Sequence, residues 1–293
     1  MGRSQMGYKS ILVPLEESDV LPSVLATTLV VARQFDSYIE GLCIRPSLAG
    51  AIAVGFEGGV AALAGTEEQF EQEQESRTRR LQEQFEGFVR DNGLAVAASA
   101  SAEGLSARWS EDEASGIGVF GQRGRVFDLI VVGRPTPGVL TPAMNTLETV
   151  LFESGRPVLI APPTPPQSVA HHVVIAWNGS TETARAVAFA RPFLQGAERV
   201  TVLSVEGALV PGPSGDEVAG GLRRLGVNAE VSNSVGKRSP ATAGAVMLQE
   251  AEKLNADLLV KGGYTQSRFR QMIFGGATNH ILNEAQIPVL MAH

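Results

Sequence analysis

Short apolar runs recur along the chain at residues 10–14, 39–44, 94–101, 129–132 and 158–161, and again at 173–176, 200–205, 228–232, 258–260 and 289–291. Their brevity and apolar content predict strands. Stretches long enough for a helix separate most of them, at 20–34, 67–91 and 142–153 and then at 181–194, 216–225, 241–254 and 278–285. Strands alternating with helices predict a parallel α/β sheet with helices on both faces. The alternation runs through the chain twice.

The repetition is also literal. Residues 128–133 read DLIVVG and 257–262 read DLLVKG; 156–163 read RPVLIAPP and 287–293 read IPVLMAH; 10–18 read SILVPLEES and 172–180 read HVVIAWNGS. Self-similarity on this scale predicts two copies of one domain. The expected division is residues 1–161, a proline-rich connector at 162–168 opening PPTPPQ, and residues 169–293. Proline stiffens such a connector and cannot continue a strand ladder.

The copies differ in length. Ser18 to Asp128 spans 110 positions and Ser180 to Asp257 spans 77, which leaves 33 extra residues in the first copy. They are assigned to an insertion at about 46–93, made of a Gly/Ala-rich segment at 48–65 and a Glu/Gln-rich helix at 67–91. Phe70, Leu81, Phe85 and Phe88 are its expected buried stripe, with Glu71, Glu75 and Arg79 on the wet face. Because the insertion follows the second strand, it is expected at the carboxyl edge of the sheet, over the first copy's cleft.

Composition narrows the function. A net charge of -7 argues against nucleic acid as a partner, since backbone phosphates require a basic face. Cys43 is the lone cysteine, so neither an internal disulfide nor a multi-cysteine metal site is expected. The first ten residues lack the apolar core of a signal peptide, and the near-span-length segment 48–65 is Gly/Ala-rich and carries Glu57. No membrane partner and a cytoplasmic location are therefore expected. His171, His172, His280 and His293 make no HExxH spacing and no GxSxG elbow is present, so no catalytic residue and no metal ligand is assigned.

In an open doubly wound sheet a ligand sits beyond the carboxyl ends of the strands, where strand order reverses. The turns after strands one and four are therefore the candidate site. After strand four the second copy reads Gly262-Gly263, and Gly275-Gly276-Ala277-Thr278 opens the next helix. Glycines at both ends admit backbone N–H groups to an anion and the helix start adds positive potential; a purely structural turn explains the same glycines. Arg268 and Arg270 are candidate phosphate partners or solvent-exposed loop residues. In the first copy the loop reads GRPTPG at 133–138, and two prolines remove donors a cradle needs.

The openings at 10–18 and 172–180, the post-strand-four loops and the closing PVL strands resemble the universal stress protein family in two tandem copies. The resemblance covers nearly the whole chain. It implies two Rossmann-like, doubly wound domains, each a five-stranded parallel sheet of order 3-2-1-4-5 with helices on both faces. One branch of the family binds ATP through G-x2-G-x9-G-[S/T]. Carried onto this chain, the glycine positions fall on Gly262, Thr265 and Gly275, and the hydroxyl position on Gly276, with Thr278 two residues on as a substitute hydroxyl. The aspartate that family members place after strand one falls on Asn178 in the second copy and Glu16 in the first; Asn178-Gly179 is equally a turn signal. The backbone at the end of strand two that faces adenine falls on Val205.

The resemblance thus implies an adenine nucleotide, ATP with Mg²⁺ if a triphosphate, held in the second copy by Ala176, Asn178, Val205, Gly262, Gly263, Thr265, Gly275, Gly276, Ala277 and Thr278. The first copy is expected to be degenerate, and the two to pack as an internal pseudo-dimer that can pair further as a homodimer. Stress-linked binding is expected, with at most slow ATP hydrolysis. The alternatives are an interaction protein of the same fold that holds no nucleotide and, ranked last, an adenylate-handling enzyme.

Overall fold

The computed structural model describes residues 7–46, 67–98, 104–113, 116, 118–134, 144–234, 240–263 and 276–293. The expected segment 48–65 lies outside them, as do Thr265, Arg268, Arg270 and Gly275.

Strands β1 (Ser10–Pro14), β2 (Tyr38–Ile44), β3 (Ala95–Val96), β4 (Ser106–Asp112), β5 (Leu129–Gly133) and β6 (Val158–Ala161) come from the first half of the chain. Strands β7 (His172–Ala176), β8 (Arg199–Val205), β9 (Ala229–Ser234), β10 (Leu258–Gly262) and β11 (Val289–Ala292) come from the second. All join one sheet, in the order β3-β4-β2-β1-β5-β6-β11-β10-β7-β8-β9. Each half is a doubly wound, Rossmann-like set of order 3-2-1-4-5, parallel within itself. The halves meet at an antiparallel pair in which Ile160, Leu159 and Val158 face Val289, Leu290 and Met291. Their carboxyl edges therefore point to opposite ends of the molecule.

Helices cover both faces. One face carries α1 (Leu21–Phe35), α2 (Glu67–Asp91), α5 (Thr181–Phe189), α6 (Arg191–Gly196) and α7 (Gly215–Arg224). The other carries α3 (Gly118–Gly124), α4 (Met144–Glu153), α8 (Pro240–Lys253) and α9 (Gly276–Glu284). The central strands are buried on both faces, which is why they read as continuous apolar runs. Each core layer runs without a break from one half into the other: Ile11, Leu129, Val173 and Leu258 share one cluster, and Ile130, Ile160, Leu259 and Met291 the other.

One repeated residue has a clear structural role. Asp128 Oδ2 accepts hydrogen bonds from the N–H groups of Lys9 and Ser10 at 2.8 and 2.9 Å and from Ser10 Oγ. Asp257 repeats the device with the N–H groups of His171 and His172 and with Ser168 Oγ. In both halves the carboxylate that opens strand four fastens it beside the start of strand one.

Three expectations are corrected. The third strand of the first half is β4 at Ser106–Asp112, not 94–101. β4 pairs along the whole of β2, from Tyr38 with Ser106 to Ile44 with Asp112, while Ala95–Val96 only borders it and leaves Val96 81% exposed. The polar face of a strand near the sheet edge hid it from a search for apolar runs. Helix α3 was not expected because GVFGQRG is glycine-rich. Its glycines permit close packing: a Cβ on Gly121 would meet Glu153 Cβ at 2.9 Å. The single helix expected at 181–194 is two, broken at Ala190 with Pro192 in the first turn of α6.

Candidate functional site

Strand order reverses between β7 and β10 in the second half and between β1 and β5 in the first. The crevices beyond their carboxyl ends are the two candidate sites.

On the β7 side of the second crevice, Ala176 ends the strand, buried, and Trp177, Asn178, Gly179 and Ser180 turn into α5. Gly179 has a φ of 86°, a conformation that favours glycine. Ser180 caps the helix by accepting from Thr183 N–H. Asn178 Oδ1 accepts from Ser180 N–H at 3.1 Å and from Thr183 Oγ1 at 2.6 Å, so its side-chain carbonyl is held by its own turn.

The segment 206–214, which leaves β8, lies over this turn. Val210 N–H donates to Asn178 O at 2.9 Å, and Trp177 Nε1–H donates to Pro213 O at 2.8 Å. Gly212 and Gly179 lie backbone against backbone: a Cβ on Gly179 would stand 2.8 Å from Val210 O, and one on Gly212 would overlap Gly179 O. Val205 is fully buried at the end of β8, and its carbonyl accepts from Ala208 N–H at 3.2 Å.

The β10 side is built differently. Gly262 is required by packing, since a Cβ there would lie 2.5 Å from Thr183 N at the start of α5. Gly263 N–H donates to Ala292 O at 2.7 Å, continuing the ladder to β11. Beyond, Gly276 and Ala277 open α9, both half-exposed, and Thr278 is buried.

Between these lies a residue that sequence reasoning passed over. Lys261 is 7% exposed, and its ammonium donates to Gly262 O at 2.7 Å and to Thr278 Oγ1 at 2.9 Å. Burial alone pushes its pKa down to about 8. No carboxylate pairs with it among the described residues, and residues 264–275 contain no Asp or Glu. The available signal was the repeat itself, because the matching position in the first copy is Val132, an apolar strand residue.

The first crevice is arranged otherwise. Glu16 accepts from Thr146 Oγ1 at 3.0 Å, and Glu17 pairs with Arg80 at 2.6 Å. Arg134, which follows β5, is 3% exposed and donates to Ala285 O at the end of α9 in the other half, at 2.5 Å. Its Nε has no hydrogen-bond partner among the described residues, and burial lowers its pKa. The remainder of the loop, 135–143, lies outside the described residues.

No helix among the described residues is long and apolar enough to cross a membrane. No curated protein matches the chain. Two solved structures share its fold over nearly its whole length. A universal stress protein from Archaeoglobus fulgidus DSM 4304 is 15% identical, with 99% of each chain covered and a TM-score of 0.68. A putative universal stress protein from Pseudomonas aeruginosa UCBPP-PA14 is 15% identical, with 99% of this chain and 95% of that one covered and a TM-score of 0.54. The model of the universal stress protein family matches residues 170–293, the span of β7 to β11 and their helices.

Proposed function

We propose that the chain is a universal stress protein built of two such units, a binding module rather than an enzyme, and that the second unit holds a phosphate-bearing ligand for which ATP is the first candidate. The observation that carries this reading is the different use of a buried cation at the two strand-four corners. Arg134 is committed to the carboxyl end of α9, where helix carbonyls favour a positive charge. Lys261 lies at the amino end of the same helix with no counter-charge among the described residues.

The turn after β1 carries Glu16, Glu17 and Asp19, where the turn after β7 has Asn178, Gly179 and Thr181, and the first acid there is Glu182 in the first turn of α5. Adenine recognition is an expectation of the resemblance. Asn178 and Val205, its expected contacts, are engaged in internal hydrogen bonds here. Mg²⁺ would accompany a triphosphate and neutralise its oxygens, and no carboxylate from this chain is assigned to hold it.

The test is thermal unfolding of the full chain with millimolar ATP at pH 7. A bound ligand raises Tm in proportion to its saturation. Ala277→Asp, which sets a negative charge at the half-exposed opening of α9, is expected to abolish the rise. An unchanged Tm with ATP overturns ATP as the ligand; a rise that survives Ala277→Asp places the site elsewhere.

A further inference from the structure

The second crevice has one side filled and the other side charged. On the β7 side the chain covers its own turn: the 206–214 segment makes a hydrogen bond to the Asn178 carbonyl and another from the Trp177 indole, and Gly212 packs on Gly179 too closely for any side chain. A planar base entering there would have to displace backbone already hydrogen-bonded to backbone.

On the β10 side an ammonium is held where three effects disfavour it. It is buried, it has no acidic partner among the described residues, and it sits at the positive end of the α9 dipole, against Thr278 in the first turn. Each effect is relieved by an anion. The first turn of α9 adds backbone N–H donors that no residue within the helix can satisfy, and Gly276 and Ala277 there are half-exposed. Residues 264–275 include Arg268 and Arg270 and no Asp or Glu.

Resting on the reading that this crevice holds the ligand, we infer that it recognises a phosphate chain through Lys261, Thr278 and the start of α9, and does not read a nucleobase. The ligand class is a di- or triphosphate, whether free or carried by a nucleoside. Lys261 and the start of α9 supply positive potential without a metal, so binding is expected in the absence of Mg²⁺.

The experiment is calorimetric titration of the full chain at pH 7, in EDTA, with inorganic tripolyphosphate, ATP, GTP and adenosine. Tripolyphosphate, ATP and GTP are expected to bind within about threefold of one another, with adenosine silent to millimolar concentration. Lys261→Met and Lys261→Gln are each expected to weaken all three by about tenfold or more, as loss of a charged hydrogen bond to phosphate does. Circular dichroism melts of both variants separate lost binding from lost folding, and Thr278→Val, which keeps the shape of the site, is expected to weaken the same three ligands. Affinity should also fall from pH 7 to pH 9 as the amine loses its proton, and Lys261→Met should abolish that dependence.

ATP binding at least about tenfold tighter than tripolyphosphate, or adenosine binding alone, overturns the inference and leaves the nucleotide reading standing. Equal binding by the folded Lys261 variants also overturns it. Tripolyphosphate binding without ATP binding upholds the phosphate site and removes the nucleotide, while silence from every ligand removes both.

Discussion

Lys261 shows how one residue is explained by charge and not by packing. In the unfolded chain its amine has the ordinary value of 10.5 and in the folded chain about 8. Between those values the unfolded state binds more protons, so this group makes the protein more stable as pH rises from 8 to 10.5. Below pH 8 the amine is charged in both states and its burial penalty is fully present. Lys261→Met is therefore expected to be more stable than the parent by on the order of 3 kcal/mol at pH 7 without ligand, a gap that closes above pH 10.5 in urea melts. Gly262 beside it is explained by packing. Gly262→Ala sets a Cβ against Thr183 N, backbone that cannot turn aside, and is expected to cost about 1–3 kcal/mol in the same melts. A Gly262 substitution thus reports on folding first and on ligand second. Asp257, with its three bonds to the start of the second half, is expected to cost about 2 kcal/mol on replacement by Ala, with no change in the slope of the melt.

Among the elements, α2 was legible because its spacing carried the signal. Phe70, Leu81 and Phe85 were expected inward and are buried; Phe88 is half-buried, and Gln74, Thr78 and Val89 complete the stripe. Phe85 packs where a Cβ on Gly41 would meet its ring at 2.6 Å, and it leans on Trp109 of β4. Phe85→Ala is expected to lower stability by about 4 kcal/mol, read as a shift in the urea midpoint, because the rigid strands beneath cannot collapse into the space. β4 and α3 were not legible. One is a strand whose outer positions are polar and the other a helix rich in glycine, and both are held by partners distant in sequence rather than by their own residues. The same limit applies to the 206–214 segment, whose Gly-Pro composition signals a turn but not the turn it covers.

At the scale of the molecule the two halves are not independent bodies. The antiparallel β6–β11 pair joins their sheets, both core layers cross the junction, and Tyr8 reaches across it to donate to Phe189 O at 2.7 Å while packing on Phe193. Calorimetry is expected to show one unfolding transition, with equal calorimetric and van't Hoff enthalpies; two resolved transitions would mean that the junction does not couple them. The repeat, the parallel α/β class and the charge difference between the corners at Val132 and Lys261 were all present in the order of residues, because strand polarity and the presence of a charge are local properties. Fusion of the sheets, the placing of Arg134 and Lys261 at opposite ends of one helix, and the covering of the β7 turn came only from the tertiary structure. Each of these depends on which distant segments meet. A buried charge is costly or useful according to what stands opposite it, and that neighbour is set by the fold.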